Sequence, residues 1–148
     1  MFPNAKASEL LTILATIDPV SQAAGTVTTG WLNVANHHAL VAIIQTGALG
    51  TSATLDAKFQ QAMDSSGTSA KDITGKALTQ IVKATGDNKQ ALINVKPEEL
   101  DTVNGFGFIR LSLTVGVAAS LASAQVLGVN PRFAQADASN QAAVVQIL

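Results

Sequence analysis

Hydrophobic and polar residues alternate strictly along the segment "FIRLSLTVG". Ile109, Leu111 and Leu113 fall on one side of an extended chain, while Arg110 and Ser112 fall on the other. This period of two residues predicts a β-strand with one buried face. The segment "LDAKFQQAMD" has the same period, and its predicted buried side holds Leu55, Ala57, Phe59, Gln61 and Met63.

Further strands are predicted where β-branched or apolar residues lie between turn signals. The run "ALVAIIQ", residues 39–45, is apolar on both sides, so we expect a central strand buried on both faces. Leu92 interrupts the polar side of "QALINVK" and indicates a second strand covered on both sides. The alanines of residues 121–129 leave a helix as an alternative there. The remaining predicted strands cover residues 26–34 and 77–83.

Many short strands separated by glycine and asparagine predict an all-β protein, either a sandwich or a barrel. Residues 10–17 suit a helix or a strand, and Asp18-Pro19 is expected to end either one. The segment "KPEELD" predicts a helical turn or a tight acidic loop. The predicted organisation is an N-terminal arm, first strand or helix at 1–25, a β-sandwich domain at 26–133 and a C-terminal arm at 134–148.

The chain carries few charges for its length. Lys, Arg, Asp and Glu make up 13% of its 148 residues, with a net charge of −1, against about 25% charged residues in a typical soluble protein. A surface of this kind is poorly protected against association, which indicates that a partner or further copies of the chain cover much of it. The absence of a basic run argues against nucleic acid as a partner. No apolar stretch is long enough to predict a membrane partner, and the first residues lack the pattern of a secretory signal.

Both histidines of the chain, His37 and His38, are adjacent and follow Asn36. Neighbouring residues of a strand point to opposite faces, so this pair cannot readily chelate one metal ion. The chain also has no cysteine, which excludes disulfides and zinc thiolate sites. We interpret the stretch as a turn that leads into the apolar run.

No combination of residues predicts catalysis. Glu98, Glu99 and Asp101 share one polar loop and are interpreted as a solvated turn. The segment "DSSGTSAKDITG" lacks the spacing of a phosphate-binding loop and is typical of a hairpin connection, with Gly67 at a positive φ. We therefore expect a protein that is not an enzyme and has no catalytic, cofactor-binding or metal-binding residues.

Three segments resemble a family of tailed-bacteriophage head proteins, the capsid cement or decoration (head stabilisation) proteins. They are "FQQAMDSSGTSAKDITGKALTQI", "NKQALINVKPEELDTVNGFGFIRLSLTVG" and "VLGVNPRF". The resemblance implies a jelly-roll-like antiparallel β-sandwich with extended N- and C-terminal arms. It also implies a location on the capsid surface of a virion, after synthesis in the host cytoplasm, with the major capsid protein as partner. It carries over no catalytic residue.

The resulting hypothesis is a non-enzymatic virion structural protein that binds the outer surface of a phage capsid and reinforces contacts between major capsid subunits. We expect it to associate with itself as a dimer or trimer. The alternatives are a head–tail connector, a tail component and a carbohydrate-binding β-sandwich module. The predicted interface residues are Phe2, Trp31, Phe133, Val145, Ile147 and Leu148.

Overall fold

A computed structural model describes residues 4–133 and 136–148. Phe2 lies outside the described residues. A four-residue helix, α1, spans Lys83–Gly86, and 3-10 turns span Ala7–Glu9, Pro97–Glu99, Thr102–Asn104 and Ala136–Ser139. The strands are β1 (Leu11–Gln22), β2 (Gly25–Thr28), β3 (Leu32–Asn33), β4 (His37–Thr46), β5 (Thr54–Ala62), β6 (Lys71–Ala77), β7 (Ile81–Val82), β8 (Gln90–Val95), β9 (Phe108–Gly116) and β10 (Ser120–Pro131).

The strands form two antiparallel sheets. Sheet A has the order β1-β10-β4-β8, and sheet B has the order β2-β9-β5-β6. Strand β3 continues the β2 edge along β9, and β7 continues the β6 edge along β5, so each broken pair acts as one strand. Eight strands in this interleaved order form a jelly roll, which confirms the predicted fold class.

The core lies between the two sheets and follows the predicted alternation. On β9, Ile109, Leu111, Leu113 and Val115 are buried, because they are the side chains that face sheet A. Phe59 of β5 is fully buried beside Leu111, its partner in the ladder. Burying such side chains is the main stabilising contribution to a sandwich of this size.

Strand β4 and strand β8 differ from the prediction that both are covered on two faces. Val41 and Ile43 of β4 are half-buried, whereas Leu40, Ala42 and Ile44 are buried. Leu92 of β8 is 59% exposed. Each strand therefore buries one face only. The outer face of β4 is largely apolar and half-buried, and the outer face of β8 exposes Leu92 between Gln90 and Asn94.

The N-terminal segment is a strand, and it runs through Asp18-Pro19 instead of ending there. Its pairing with β10 shifts between Ile13 and Ala15 and again between Ile17 and Val20. Proline is tolerated at the second shift because β1 is an edge strand, where a missing N–H leaves no ladder bond unmade.

Several predicted segments have different boundaries in the structure. The strand expected at residues 26–34 is divided into β2 and β3, and that expected at 77–83 is divided into the end of β6, β7 and the start of α1. Residues 121–129 belong to β10, so the helix alternative is wrong. The segment "KPEELD" contains a 3-10 turn, as predicted.

The connections differ between the two ends of the sandwich. Residues 117–119 carry the chain from β9 to β10, and residues 23–24 carry it from β1 to β2. Twelve residues, 96–107, join β8 to β9 at the opposite end. At that same end Asp64 accepts hydrogen bonds from the N–H groups of Ser66 and Thr68, and Gly67 has a φ of 84°, as predicted for this hairpin.

The two histidines face in opposite directions, as predicted, but they begin β4 instead of forming the turn before it. His37 is buried with 2% exposure, and its Nε2 atom lies 3.1 Å from the Thr12 hydroxyl. That hydroxyl donates to the carbonyl oxygen of Ala136 over 3.0 Å, so it accepts from Nε2–H of a neutral imidazole. Nδ1 of His37 has no hydrogen-bond partner among the described residues.

Gly128 lies directly against this histidine. A Cβ atom at Gly128 would stand 2.5 Å from Nε2 of the His37 ring. The ring is buried, so an added methyl group at Gly128 would crowd it within the core. We expect Gly128→Ala to lower the free energy of unfolding by about 1–3 kcal/mol, as overpacking does.

Gly107 supplies the matched control, because a Cβ there meets nothing within 4 Å and its φ is not positive. Gly107→Ala is expected to change stability by about 0.5 kcal/mol or less. Urea denaturation of both variants measures the difference. Equal destabilisation would contradict the described packing at Gly128.

Burial lowers the pKa of the His37 imidazole from its ordinary value of 6.5. The unfolded chain then binds a proton that the folded chain does not, so the unfolding free energy falls as pH drops below 6.5. Above that pH the contribution is fully present. We expect His37→Gln, which cannot titrate, to flatten this part of the stability profile between pH 6.5 and the lowered pKa. An unchanged slope in pH-dependent urea denaturation would contradict the assignment to His37.

Candidate interaction surface

The charges of the strands are divided unequally between the sheets. The strands of sheet A contain a single charged residue, Asp18, whereas those of sheet B contain six. The six are Asp56, Lys58, Lys71, Asp72, Lys76 and Arg110. The two outer surfaces of the sandwich therefore differ in the partners that they suit.

The outer surface of sheet B is polar and hydrogen-bonded. Nζ of Lys58 lies 2.7 Å from a carboxylate oxygen of Asp72, and Gln60 donates to the other oxygen of that carboxylate. Arg110 donates from Nε to the side-chain oxygen of Gln60 over 2.9 Å. The hydrogen bond from Lys58 lowers the pKa of Asp72, so the pair stays charged in water.

The outer surface of sheet A has no charged side chain within its central strands. We call this surface the uncharged face. Its large apolar side chains are partly exposed, with Leu92 at 59%, Leu121 at 46% and Leu11 at 39%. The uncharged face comprises Leu11, Ile13, Ala39, Val41, Ile43, Gln45, Gln90, Leu92, Asn94, Leu121, Ser123, Gln125, Leu127 and Val129.

Strand pairing brings these residues together from distant parts of the sequence. In the ladder, Val41 lies between Leu127 of β10 and Asn94 of β8, and Ile43 lies beside Leu92. Four strands about 4.8 Å apart and about 30 Å long give a footprint of roughly 600 Å². A stable protein–protein contact typically buries about 800 Å² per partner. The footprint of the uncharged face is therefore most of the area that one partner contributes to such a contact.

The tail segment, residues 136–148, lies along the β1 edge. Ile13 donates its N–H to the side-chain oxygen of Asn140 over 2.7 Å and accepts from the N–H of Gln141 over 2.8 Å. These bonds satisfy the backbone of β1 where its pairing with β10 shifts. Between the tail and the sheet lies a cavity of about 420 Å³ whose lining includes Thr16, Gln45, Gln125 and Val144.

The predicted interface residues do not form one surface. Phe133 is 81% exposed just after β10, and Val145, Ile147 and Leu148 are 94%, 44% and 97% exposed at the end of the tail. Trp31 is half-buried between β2 and β3. None of these belongs to the uncharged face, which the sequence interpretation missed because it treated the apolar outer side of β4 as covered.

Trp31 packs within the protein. The Arg110 guanidinium lies 4.6 Å from the centre of its ring. A Cβ atom at Gly67 would lie 2.5 Å from its Nε1 atom, so the β5–β6 turn touches the indole edge. The indole ring of Trp31, the largest aromatic side chain of the protein, is therefore in contact with Arg110 and with the β5–β6 turn instead of being free to stack on a ligand.

The ionisable groups form surface ion pairs. Lys76 donates to Glu99 over 2.8 Å and Lys71 donates to Asp101 over 2.5 Å. These hydrogen bonds lower the pKa of each carboxyl, because they favour its ionised form. Within residues 4–133 and 136–148, no three histidine or acidic side chains are grouped as a metal site requires. The same residues contain no helix long and apolar enough to cross a membrane.

No protein-family model and no curated protein matches the chain. Some solved structures resemble the chain at low identity. A chain of the naturally empty cowpea mosaic virus top component is 10% identical, with a TM-score of 0.45, over 87% of this chain and 94% of that one. A CBM4 chain is 13% identical, with a TM-score of 0.40, over 71% of this chain and 61% of that one.

A Bacillus endospore appendage protein is 15% identical, with a TM-score of 0.39, over 88% of this chain and 99% of that one.

Proposed function

We propose that this protein is a non-enzymatic structural protein of a phage virion. It binds the outer surface of the capsid through the uncharged face of sheet A and reinforces the contacts between neighbouring major capsid subunits. The observation that carries the proposal is the division of charge between the two sheets. The partner's identity comes from the resemblance of three sequence segments to capsid cement proteins.

The uncharged face suits burial against another protein. Removing an ion from water without a close partner costs several kcal/mol, and the central strands of this face hold no ion. The amides of Gln45, Gln90 and Gln125 provide hydrogen-bonding groups that adapt to a partner without fixed charge. The cores of protein interfaces show the same depletion of charged residues.

Sheet B then faces the solvent. Its ion pairs, such as Lys58 with Asp72, are partly exposed and gain little from leaving water. They also keep the outward surface hydrophilic, which opposes the association of decorated particles with one another. Burying the uncharged face costs less free energy than burying the ion pairs of sheet B. We therefore orient the uncharged face towards the capsid and sheet B towards the solvent.

A lattice of subunits compensates for the modest size of the face. A footprint of roughly 600 Å² is smaller than the area usual for a stable contact. Attachment at more than one point of the same shell raises the effective concentration of each further contact. Several such contacts on one capsid can therefore reinforce the contacts between subunits, although no single contact has high affinity.

A charge placed at the centre of the uncharged face should abolish decoration. We expect Ile43→Lys to lower the occupancy of purified phage heads at least about 10-fold, because an unpaired charge would be buried at the contact. The measurement is the number of copies bound per head in a sedimentation assay. The melting temperature of the variant shows whether it has folded.

Thr114→Lys is the matched control, since Thr114 is half-buried on the outer surface of sheet B and pairs with Asp56 in the ladder. Its occupancy should equal that of the wild type. A folded Ile43→Lys variant that decorates heads normally would refute this placement of the contact. About six or twelve copies per particle would indicate a head–tail ring, whereas hundreds indicate lattice cement.

Binding through an uncharged face should also depend weakly on salt. Raising the ionic strength from about 0.1 M to about 1 M shortens the screening length from about 10 Å to about 3 Å, which weakens contacts made by exposed charges. We expect the occupancy to change less than about 2-fold across this range. A steep loss on the same heads would show that ion pairs carry the attachment.

A further inference from the structure

The four sheet edges differ in how well they are protected. The β1 edge contains two register shifts, Pro19 and the bonds to the tail segment. The β2–β3 and β6–β7 edges are each interrupted between their two short strands. Edge strands that are short, bulged or covered resist pairing with other chains.

Strand β8 has none of these protections. All six of its residues pair with β4 without a register shift, and the strand contains no glycine, proline or charged residue. Among the described residues, no backbone hydrogen bond satisfies its other edge. Leu92 stands at the middle of this edge and is 59% exposed. An edge of this kind is a template for an added strand.

The charges that flank β8 restrict what it can pair with. Lys89 precedes the strand and Lys96 follows it. If two copies of β8 paired antiparallel about their centre, Lys89 of each copy would lie opposite Lys96 of the other. Like charges placed opposite each other destabilise a ladder, so symmetric pairing of β8 is disfavoured.

The end of the tail has the properties of a strand without a partner. Residues 142–148 have no charged side chain, and Val144, Val145 and Ile147 are β-branched residues that favour strands. Val145 and Leu148 are more than nine-tenths exposed. The N–H of Val144 donates to the carbonyl oxygen of Gln141. Beyond Val144, the described residues 145–148 make no backbone hydrogen bond.

We propose that residues 142–148 of one copy add as a strand to the β8 edge of a second copy. The segment matches β8 in length, is uncharged beside an uncharged strand and brings no positive charge to Lys89 or Lys96. The bonds from Asn140 and Gln141 to Ile13 hold the start of the segment on its own sheet, so only its end passes to the neighbour. Exchange between two copies gives a dimer, and passage in one direction closes a small ring.

Single cysteines test the pairing directly, because the chain has none of its own. We expect chains carrying Leu92→Cys to cross-link, under mild oxidation, with separate chains carrying Val145→Cys or Ile147→Cys. Two tail positions are used because a disulfide needs Cα atoms within about 7 Å. Chains carrying Val103→Cys, at a residue that is 95% exposed in the β8–β9 connection, provide the background yield.

Three outcomes would overturn the proposal. Leu92→Cys chains that cross-link mainly with each other would show symmetric pairing of β8. A chain carrying both Leu92→Cys and Val145→Cys that closes on itself would show that β8 receives its own tail. A cross-linking yield between the Leu92→Cys and tail-cysteine chains that is no higher than the yield with Val103→Cys chains would show that the tail does not contact the β8 edge.

The mass of the full-length protein in solution gives an independent test. Wild type and the Val103→Lys control are expected to be oligomers by light scattering. Leu92→Lys and a chain lacking residues 142–148 should be monomers with nearly unchanged melting temperatures. A monomeric wild type at micromolar concentration would refute the proposal. The chain lacking residues 142–148 keeps the uncharged face intact, whereas Leu92→Lys adds a charge to it. If the shortened chain is a monomer and still decorates phage heads, the cement function stands without this self-association, so the two proposals fail separately.

Discussion

The contact between the two sheets holds this protein together, since nearly every large buried side chain belongs to a strand face that meets the opposite sheet. Because side chains alternate along a strand, forming this core also fixes what each sheet presents outwards. Sheet B presents charges and amides, and sheet A presents leucine, valine and isoleucine. Exposed apolar side chains such as those of sheet A are unfavourable in an isolated protein and favourable in one that binds another protein surface.

The sequence predicts the sandwich well where one face of a strand is polar. Strands β5 and β9 alternate between core and polar residues, so their period identifies both the strand and its buried side. It predicts β4 less well. An apolar run has the same hydrophobic pattern whether the second face of the strand is covered by the same chain or left open for a partner. Only the structure shows that the outer residues Val41 and Ile43 are not fully buried.

The uncharged face could not be found from sequence for a related reason. Val41, Leu127 and Asn94 are adjacent only because three strands pair in a jelly-roll order. The low charge content does predict that a covered surface exists, without placing it. Single exposed residues such as Phe133 are poor guides, since most proteins expose some large apolar side chains. Asp18-Pro19 misleads similarly, because a proline ends a central strand but not an edge strand.

The turn at residues 117–119 places a strained residue at one end of the sandwich. Val117 holds a φ of 69° there, a conformation that costs a β-branched residue on the order of 1–2 kcal/mol. Its side chain is 72% exposed, so packing returns little of that energy. This three-residue link joins an inner strand of sheet B, β9, to an inner strand of sheet A, β10. The connection at residues 96–107 is longer and packs against the sandwich through buried Leu100 and Phe106. The strained valine therefore lies at the end of the sandwich where short connections join the strands, and away from the long, packed connection.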